Sequence, residues 1–172
     1  IRRIDVRSGA VANIPFQVRS KHRIADAVRF AQDVAPEEFD VKMLRWVSVA
    51  PDRKSVLFGA LDKIYLKPLP DGQPRRLTTD DRNLELYPTF SPDGKWIVYT
   101  TWNDEEMGAV WKVPARGGTP TILTPTKGTY VEPSFSPDGR RIVYRRSGGD
   151  DLRGDLFSRE RGIYSISADG GS

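Results

Sequence analysis

The chain has 172 residues, a formal net charge of +4 and 38% hydrophobic residues, which is enough for one domain with a sizeable core. It contains no cysteine, and this excludes a disulfide framework, a thiolate metal site and a cysteine nucleophile. One histidine, His22, does not suffice for a zinc or two-metal hydrolase site. No G-x-S-x-G motif accompanies it, so we interpret it as a surface residue. We predict no catalytic residue, no metal and no cofactor.

The basic residues are scattered beside turns and on predicted outer strands. Examples are the pairs Arg2-Arg3, Arg75-Arg76, Arg140-Arg141 and Arg145-Arg146. Nucleic-acid-binding domains cluster such charges on one face, so we predict a solvated rim and no nucleic-acid partner. No long apolar run is present, so we predict no membrane span.

Residues 1–16 are predicted to form a β-hairpin that ends a blade whose first half is absent. Its strands are Ile1–Val6 and Val11–Phe16, with the turn at Ser8-Gly9. Residues 17–42 then interrupt the repeat described next. Ile24, Val28 and Ala31 share one helical face, which predicts a short helix; the alternative is an extended segment that docks on the rest of the fold.

Three copies of one motif organise the remaining chain. They are WVSVAPDRKSVLFG at Trp46–Gly59, YPTFSPDGKWIVYT at Tyr87–Thr100 and EPSFSPDGRRIVYR at Glu132–Arg145. The central Pro-Asp-Gly predicts a tight turn, because proline presets φ, aspartate bonds its own backbone and glycine accepts positive φ. In the second copy the residues that follow, Trp96–Thr100, predict a strand that is apolar, and therefore covered, on both faces. Arg53 replaces glycine in the first copy, so we predict that its turn differs slightly.

A strand–turn–strand motif follows each copy. Its members are Lys63–Pro68 with Arg75–Thr78, Ala109–Pro114 with Pro120–Thr124, and Gly162–Ser167 before Asp169-Gly170-Gly171. Each unit therefore has four short antiparallel strands in about 40–45 residues, the period of a β-propeller blade. We predict an all-β propeller segment with about three blades, at residues 43–78, 79–124 and 125–172, the last without its final strand.

The SPDG turn, the apolar strand after it and the later GG-x-P-x-x-LT pattern resemble the TolB-type propeller repeat. Leu44–Thr78 and Glu85–Asp104 resemble more closely the propeller region that precedes a metal-dependent amidohydrolase domain in large bacterial proteins. The resemblance covers nearly the whole chain. It implies a piece of a longer protein, a non-catalytic module whose metal-binding histidines belong to a separate domain, and a periplasmic or extracellular location.

Three blades do not close a ring, because propellers have four or more. The open ends would expose an unpaired strand edge and apolar blade faces, which invite pairing. If the segment folds alone, we predict a homodimer that completes a six-bladed ring.

The candidate ligand residues follow from the propeller geometry, in which the first strand of each blade lines the central channel. Alignment of the three turns makes Trp46, Tyr87 and Glu132 equivalent. Arg45, Glu85 and Tyr130 lie beside them. These six side chains are predicted to bind a peptide or small ligand at the channel mouth; the alternative is that they fill the channel and stack between blades. Core positions between blades are predicted at Phe90, Trp96, Trp111 and Phe135.

The loops add no clear chemistry. The acidic groups at Asp80-Asp81, Asp104–Glu106 and Asp150-Asp151 lack the ligand spacing of an EF-hand, and we interpret them as solvated charge. The long charged loop Ser147–Arg161 is predicted to be mobile or to contact a partner.

Three functions remain open at this point. The first is a docking platform within a larger amidohydrolase-like protein. The second is a TolB-like envelope protein that binds protein or peptide partners, and the third is the propeller of a prolyl-oligopeptidase-like serine peptidase.

Overall fold

The structure is a computed structural model that describes residues 1–25, 34–147 and 160–170. These residues contain thirteen β-strands and no helix. The predicted all-β class is therefore confirmed. The chain divides into two compact units, Ile1–Phe39 and Asp40–Ser172. None of the described residues belongs to a helix long and apolar enough to cross a lipid bilayer.

The first unit contains a hairpin of strands β1 (Arg2–Ile4) and β2 (Val11–Asn13). Both strands are shorter than the sequence predicts, and β1 ends before Asp5 because the Asp5 carboxylate already organises the turn. Its Oδ1 accepts hydrogen bonds from the main-chain N–H groups of Arg7 at 3.0 Å and Ser8 at 2.8 Å. The helix predicted around Val28 falls mostly outside the described residues.

The second unit contains three antiparallel sheets, which we call blades 1 to 3. Blade 1 has strands β3 (Arg45–Val49), β4 (Ser55–Ala60), β5 (Lys63–Pro68) and β6 (Arg75–Arg76). Blade 2 has β7 (Leu84–Phe90), β8 (Trp96–Trp102), β9 (Ala109–Pro114) and β10 (Thr121–Ile122). Blade 3 has β11 (Thr129–Phe135), β12 (Arg141–Ser147) and β13 (Gly162–Ser167). In every blade each strand pairs with the next strand along the chain.

Two apolar clusters join the blades. The cluster between blades 1 and 2 contains Leu57, Ile64, Leu66, Leu77, Ile97, Tyr99 and Val113. The cluster between blades 2 and 3 contains Val98, Val110, Leu123, Tyr130, Ile142, Tyr144, Ile166 and Ala168. Successive residues of β8 thus enter different clusters, which confirms that this strand is apolar and covered on both faces.

Trp96 departs from the core position that the sequence predicts. Phe90, Trp111 and Phe135 are partly buried and pack against the two clusters, but 38% of Trp96 is exposed. The residue opens β8 directly after the turn and borders an open cleft between blades 2 and 3. A hydrophobic residue at the first position of a covered strand is therefore not necessarily covered.

The turn at Arg53 keeps the geometry of its glycine counterparts, so the prediction of a different turn is wrong. Arg53 has φ 59°, close to 69° at Gly94 and 71° at Gly139. Its N–H donates to the carbonyl of Ala50 at 2.8 Å, the bond that Gly94 makes to Ser91 at 2.9 Å. The strands on either side determine this turn, and arginine accepts the left-handed backbone that it requires.

Arg53→Gly is expected to stabilise the protein. A side chain in the left-handed region costs about 1–2 kcal/mol, and glycine gives back about 0.5–1 kcal/mol through its more flexible unfolded state. The expected gain is about 0.5–1 kcal/mol, or a rise of roughly 1–4 °C in Tm by calorimetry. Lys54→Gly, at a neighbouring position without positive φ, is the matched control and should lower Tm; a fall in Tm for both variants would contradict the expectation.

Main-chain hydrogen bonds also cross between blades. The N–H of Glu85 in blade 2 donates to the carbonyl of Asp62 in blade 1 at 2.9 Å. Gly108 and Gly128 form an antiparallel bridge between blades 2 and 3, with two N–H···O bonds of 3.0 Å. Backbone contacts therefore fix the spacing of the three sheets, in addition to side-chain packing.

Apolar side chains remain exposed on the outer blades. Leu44 and Val49 of the first blade are 50% and 54% exposed, and Val143 and Ile163 of the third are 39% and 78% exposed. The homodimeric ring predicted from such faces stays a prediction. The loop Ser147–Arg161, predicted to be mobile or to contact a partner, lies almost wholly outside the described residues.

Candidate functional site

The first strand of each blade carries the same irregularity. In blade 2, Leu86 pairs with Thr100 and Thr89 pairs with Val98, so two residues of β7 face one residue of β8. The same one-residue shift occurs in β3 and β11. Each is a β-bulge, a feature often found where a strand must redirect a side chain.

The bulged residues are Trp46, Tyr87 and Glu132, which have φ values of 51°, 54° and 55°. The three positions that the turn alignment makes equivalent therefore share one backbone conformation. Bulky residues rarely adopt positive φ, and such strain of about 1–3 kcal/mol per residue concentrates at functional sites. We call these three residues the bulge row.

An aromatic pair occupies the blade 1 and blade 2 positions of the row. The ring centroids of Trp46 and Tyr87 are 4.8 Å apart at an interplanar angle of 48°. The guanidinium carbon of Arg45 lies 6.0 Å from the Trp46 centroid. The Trp46 ring lies over Gly59, where an added Cβ would come within 2.8 Å of Cε3. The arrangement offers a partly exposed apolar surface with a cation at its margin.

The third position of the row is an ion pair. Nε of Arg145 donates to Oε2 of Glu132 at 3.0 Å, and both side chains are about half exposed. The hydrogen bond from Arg145 lowers the pKa of Glu132. Sequence reasoning missed Arg145 as a member of the site. Its signal was available in the strand register, because Arg145, like Gly59 and Thr100, pairs with the residue just before a bulge.

Glu85 is buried rather than open to the channel mouth. It has no exposed surface. Its Oε2 accepts the main-chain N–H of Ile64 at 3.1 Å, and its Oε1 accepts the hydroxyl of Thr78. Burial raises the pKa of this carboxyl, while the hydrogen bond from Thr78 opposes the rise. Glu85 therefore joins β5 and the end of blade 1 to blade 2, and its carboxylate is not accessible from the surface.

Tyr130 is also engaged within the protein. It is 4% exposed, its hydroxyl donates to the carbonyl of Thr126 at 2.8 Å, and its ring packs edge-on against Tyr144 at 5.4 Å. Of the six sequence-derived candidates, the surface therefore retains Arg45 and the bulge row, and Glu85 and Tyr130 support the blades beneath it.

Gly59→Ala is expected to displace the Trp46 ring without changing any exposed side chain. The added methyl would meet Cε3 and Cζ3 of the indole, and such overpacking costs about 1–3 kcal/mol. The measurement is near-ultraviolet circular dichroism together with urea unfolding. In a Trp46→Ala background the same change should cost much less. Equal costs in both backgrounds would show that the ring does not rest on Gly59.

The described ranges hold no group of three or more histidine, aspartate or glutamate side chains placed to bind a metal ion. The bulge row consists of an aromatic pair and an ion-paired glutamate spread over three sheets, with the Arg45 guanidinium beside it.

No protein-family model matches the chain, and no curated protein matches its sequence. Solved structures do match. TolB from Acinetobacter baumannii is 21% identical with a TM-score of 0.58, over 76% of this chain and 31% of that one. An oligogalacturonate lyase in complex with manganese is 13% identical with a TM-score of 0.61, over 74% of this chain and 38% of that one. A GH74 enzyme from Niastella koreensis is 20% identical with a TM-score of 0.53, over 73% of this chain and 21% of that one.

These similarities establish the fold: the chain has the blade architecture of a β-propeller, as the repeat predicts. The chain spans about a third of the length of the first two of these structures. Since all three share less than a quarter of their sequence with it, they show architecture alone.

Proposed function

We propose that this chain is a non-catalytic docking platform whose bulge row binds an extended segment of a protein partner. The observation that carries the proposal is the same strained bulge in three successive blades, at Trp46, Tyr87 and Glu132. Strained backbone at side chains that are at least partly exposed is hard to explain by packing alone. A row that crosses several sheets suits a chain-like ligand better than a compact one.

The chemistry of the row indicates which segment would bind. The Trp46–Tyr87 pair offers an apolar surface for an aromatic or branched aliphatic side chain. Arg45, at its margin, suits a carboxylate next to that side chain, whereas Glu132 is already paired with Arg145. We therefore expect a peptide in which an apolar anchor is flanked by an acidic residue.

The experiment is selection of peptides from a random dodecapeptide phage library against the immobilised protein. Enriched peptides, resynthesised with a fluorophore, should bind with a Kd that rises at least about tenfold in Trp46→Ala and Arg45→Glu, while Trp46→Phe retains most of the binding. Arg116→Glu makes the same charge change on the β9–β10 turn, at the other end of the strands, and should leave binding unchanged. Enrichment that neither substitution affects would reject this site.

The parent protein is proposed separately, on the resemblance of Leu44–Thr78 and Glu85–Asp104 to propellers that precede amidohydrolase domains. In that setting the module docks an enzyme domain of the same polypeptide, in the bacterial periplasm or outside the cell. Blotting of source cells with an antibody to this segment should then detect a band far above 19.4 kDa. A band near that mass would instead favour a free TolB-like binding protein or the predicted homodimeric ring.

A further inference from the structure

A cleft lies between blades 2 and 3, and none of the residues that line it belongs to the bulge row. It has a volume of about 420 Å³ and is bordered by the two SPDG turns, which follow the ends of β7 and β11, whereas the bulges lie in the middle of these two strands. This volume falls within the range of about 300–1,000 Å³ that is typical of small-molecule pockets. Trp96, Lys112 and Phe135 line its interior, and Asp93, Asp138 and Asp169 lie along its margin. We call it the Trp96 groove.

The groove arises where this blade junction departs from the repeat. Strand register makes Lys112 the counterpart of Leu66, since each pairs with the equivalent residue of the preceding strand. Leu66 belongs to the apolar cluster between blades 1 and 2. Trp96 in the same way replaces Ser55, as the first residue of the strand. A lysine and a large exposed aromatic ring thus occupy positions that the other junction closes with a leucine and a serine.

Lys112 is held rigidly. Only 11% of its side chain is exposed, and Nζ lies 3.6 Å from the carboxylate of Asp169. The ammonium also donates to the carbonyl of Ala168 and lies 4.6 Å from the centroid of the Trp96 ring. A buried lysine is costly to desolvate, and here the carbonyl, the ring and the carboxylate together compensate for that cost. The groove therefore has a fixed cation beside an aromatic platform.

The two turn aspartates are equally well oriented. Oδ1 of Asp93 accepts the Ser91 hydroxyl at 2.6 Å and the Lys95 N–H at 3.1 Å. Oδ1 of Asp138 makes the same pair of bonds in the next turn, at 2.6 and 3.0 Å. The turn hydrogen bonds thus use Oδ1 of each carboxylate, and Oδ2 of Asp93 also lies 3.7 Å from Nζ of Lys95. Each groove margin carries a preoriented hydrogen-bond acceptor.

The distribution of charge selects the class of ligand. The Lys112 ammonium is paired with Asp169 and the Asp93 carboxylate with Lys95, so the groove strongly attracts neither a cationic ligand nor an anionic one. An uncharged ligand with an apolar face and several hydroxyl groups suits such a groove. A pyranose ring has that form, because its axial C–H bonds make one face apolar and its hydroxyls project from the edge.

We propose that the Trp96 groove binds a neutral oligosaccharide, with one sugar ring stacked on Trp96 and its hydroxyls donating to the carboxylates of Asp93 and Asp138. Lys112 donates to a ring or hydroxyl oxygen. The site does not overlap the bulge row, so the two proposals succeed or fail separately.

The test is saturation-transfer difference NMR of the purified protein with four neutral trisaccharides: maltotriose, cellotriose, xylotriose and mannotriose. At least one is expected to bind with a Kd of about 0.1–5 mM, and its strongest saturation should fall on the C–H protons of a single ring. Trigalacturonate and chitosan trimer provide the anionic and cationic comparisons and should bind at least about tenfold more weakly.

Variants locate the binding. Trp96→Ala should weaken it at least about tenfold, and Asp138→Asn, which keeps an acceptor oxygen for the turn, should weaken it several-fold. Trp46→Ala in the bulge row is the matched tryptophan control and should leave it unchanged. The absence of binding by all four neutral sugars, binding that survives Trp96→Ala, or a preference for either charged trimer would each overturn the proposal. If Trp96→Ala does not fold, the affinity of Asp138→Asn for the sugar is the test of the proposal.

Discussion

Glu85→Ala is expected to destabilise the protein by about 3 kcal/mol or more, although Glu85 belongs to neither the bulge row nor the Trp96 groove. The substitution leaves the main-chain N–H of Ile64 and the hydroxyl of Thr78 without the acceptor that they have now. Each buried donor left unsatisfied costs about 1–3 kcal/mol, and a cavity adds to this. The measurement is the midpoint and slope of urea unfolding at pH 7.

Glu85→Gln separates the shape of the side chain from its charge. The amide oxygen still accepts the Ile64 N–H, and the amide group donates to the Thr78 hydroxyl. Burial raises the pKa of Glu85, so the folded state binds this proton more tightly than the unfolded state does. Stability from this carboxyl is therefore fully present below its unfolded pKa and is lost as pH rises through the folded pKa.

The Glu85→Gln variant lacks this loss. Relative to the wild type it should gain stability as the pH is raised from about 4, near the unfolded-state pKa, towards 8. Other carboxyls with lowered pKa values, such as Asp93 and Asp138, affect both proteins equally, so the difference between the two curves isolates Glu85. A constant difference across this range would show that burial does not perturb its ionisation.

Gly108→Ala is expected to be the other severe substitution, with a cost of about 3 kcal/mol and a fall of roughly 6–12 °C in Tm. A Cβ at this position would lie 2.3 Å from the carbonyl oxygen of Thr101 and 2.8 Å from that of Gly128. Both atoms belong to the backbone, and neither moves without opening β8 from β9 or blade 3 from blade 2. Differential scanning calorimetry measures the change.

Gly128→Ala is the matched control on the other side of the same bridge. There the nearest atoms to an added Cβ belong to the Arg146 guanidinium, at 3.3 and 3.4 Å, and this flexible side chain moves easily. The expected cost is within about 1 kcal/mol. If both glycines tolerate alanine, the backbone bridge does not determine the spacing of blades 2 and 3.

The sequence predicts the blades well because their determinants are local. Turn chemistry at Pro92-Asp93-Gly94 and the alternation through Ile97 and Val98 recur at a fixed spacing, and the register follows from them. The bulges, in contrast, cannot be predicted from local residue patterns. Trp46, Tyr87 and Glu132 share no side-chain property, because a bulge is a property of main-chain pairing, and no residue type signals it.

Burial was the harder quantity to predict. A glutamate in a strand is expected to be exposed, yet Glu85 is buried. Its counterpart Tyr130 in blade 3 is buried too, but its counterpart Leu44 in blade 1 is half exposed, so comparison of the repeats does not decide the burial of this position. Trp96 fails in the opposite direction, because the exposure of its ring depends on how far blade 3 extends beside it. The burial of Lys112 could not be predicted either, because its partners Ala168 and Asp169 lie more than fifty residues later in the chain.

The strictly sequential pairing of strands has a consequence for how the polypeptide acquires its structure at the ribosome. No strand waits for a distant partner: β7 pairs with β8, β8 with β9 and β9 with β10, so a sheet can assemble soon after its own residues leave the exit tunnel. Low sequence separation between partners favours rapid formation, and synthesis from the N-terminus orders the steps. The next sheet can then pack against the apolar face of each completed sheet, so the nascent chain exposes one apolar blade face at a time.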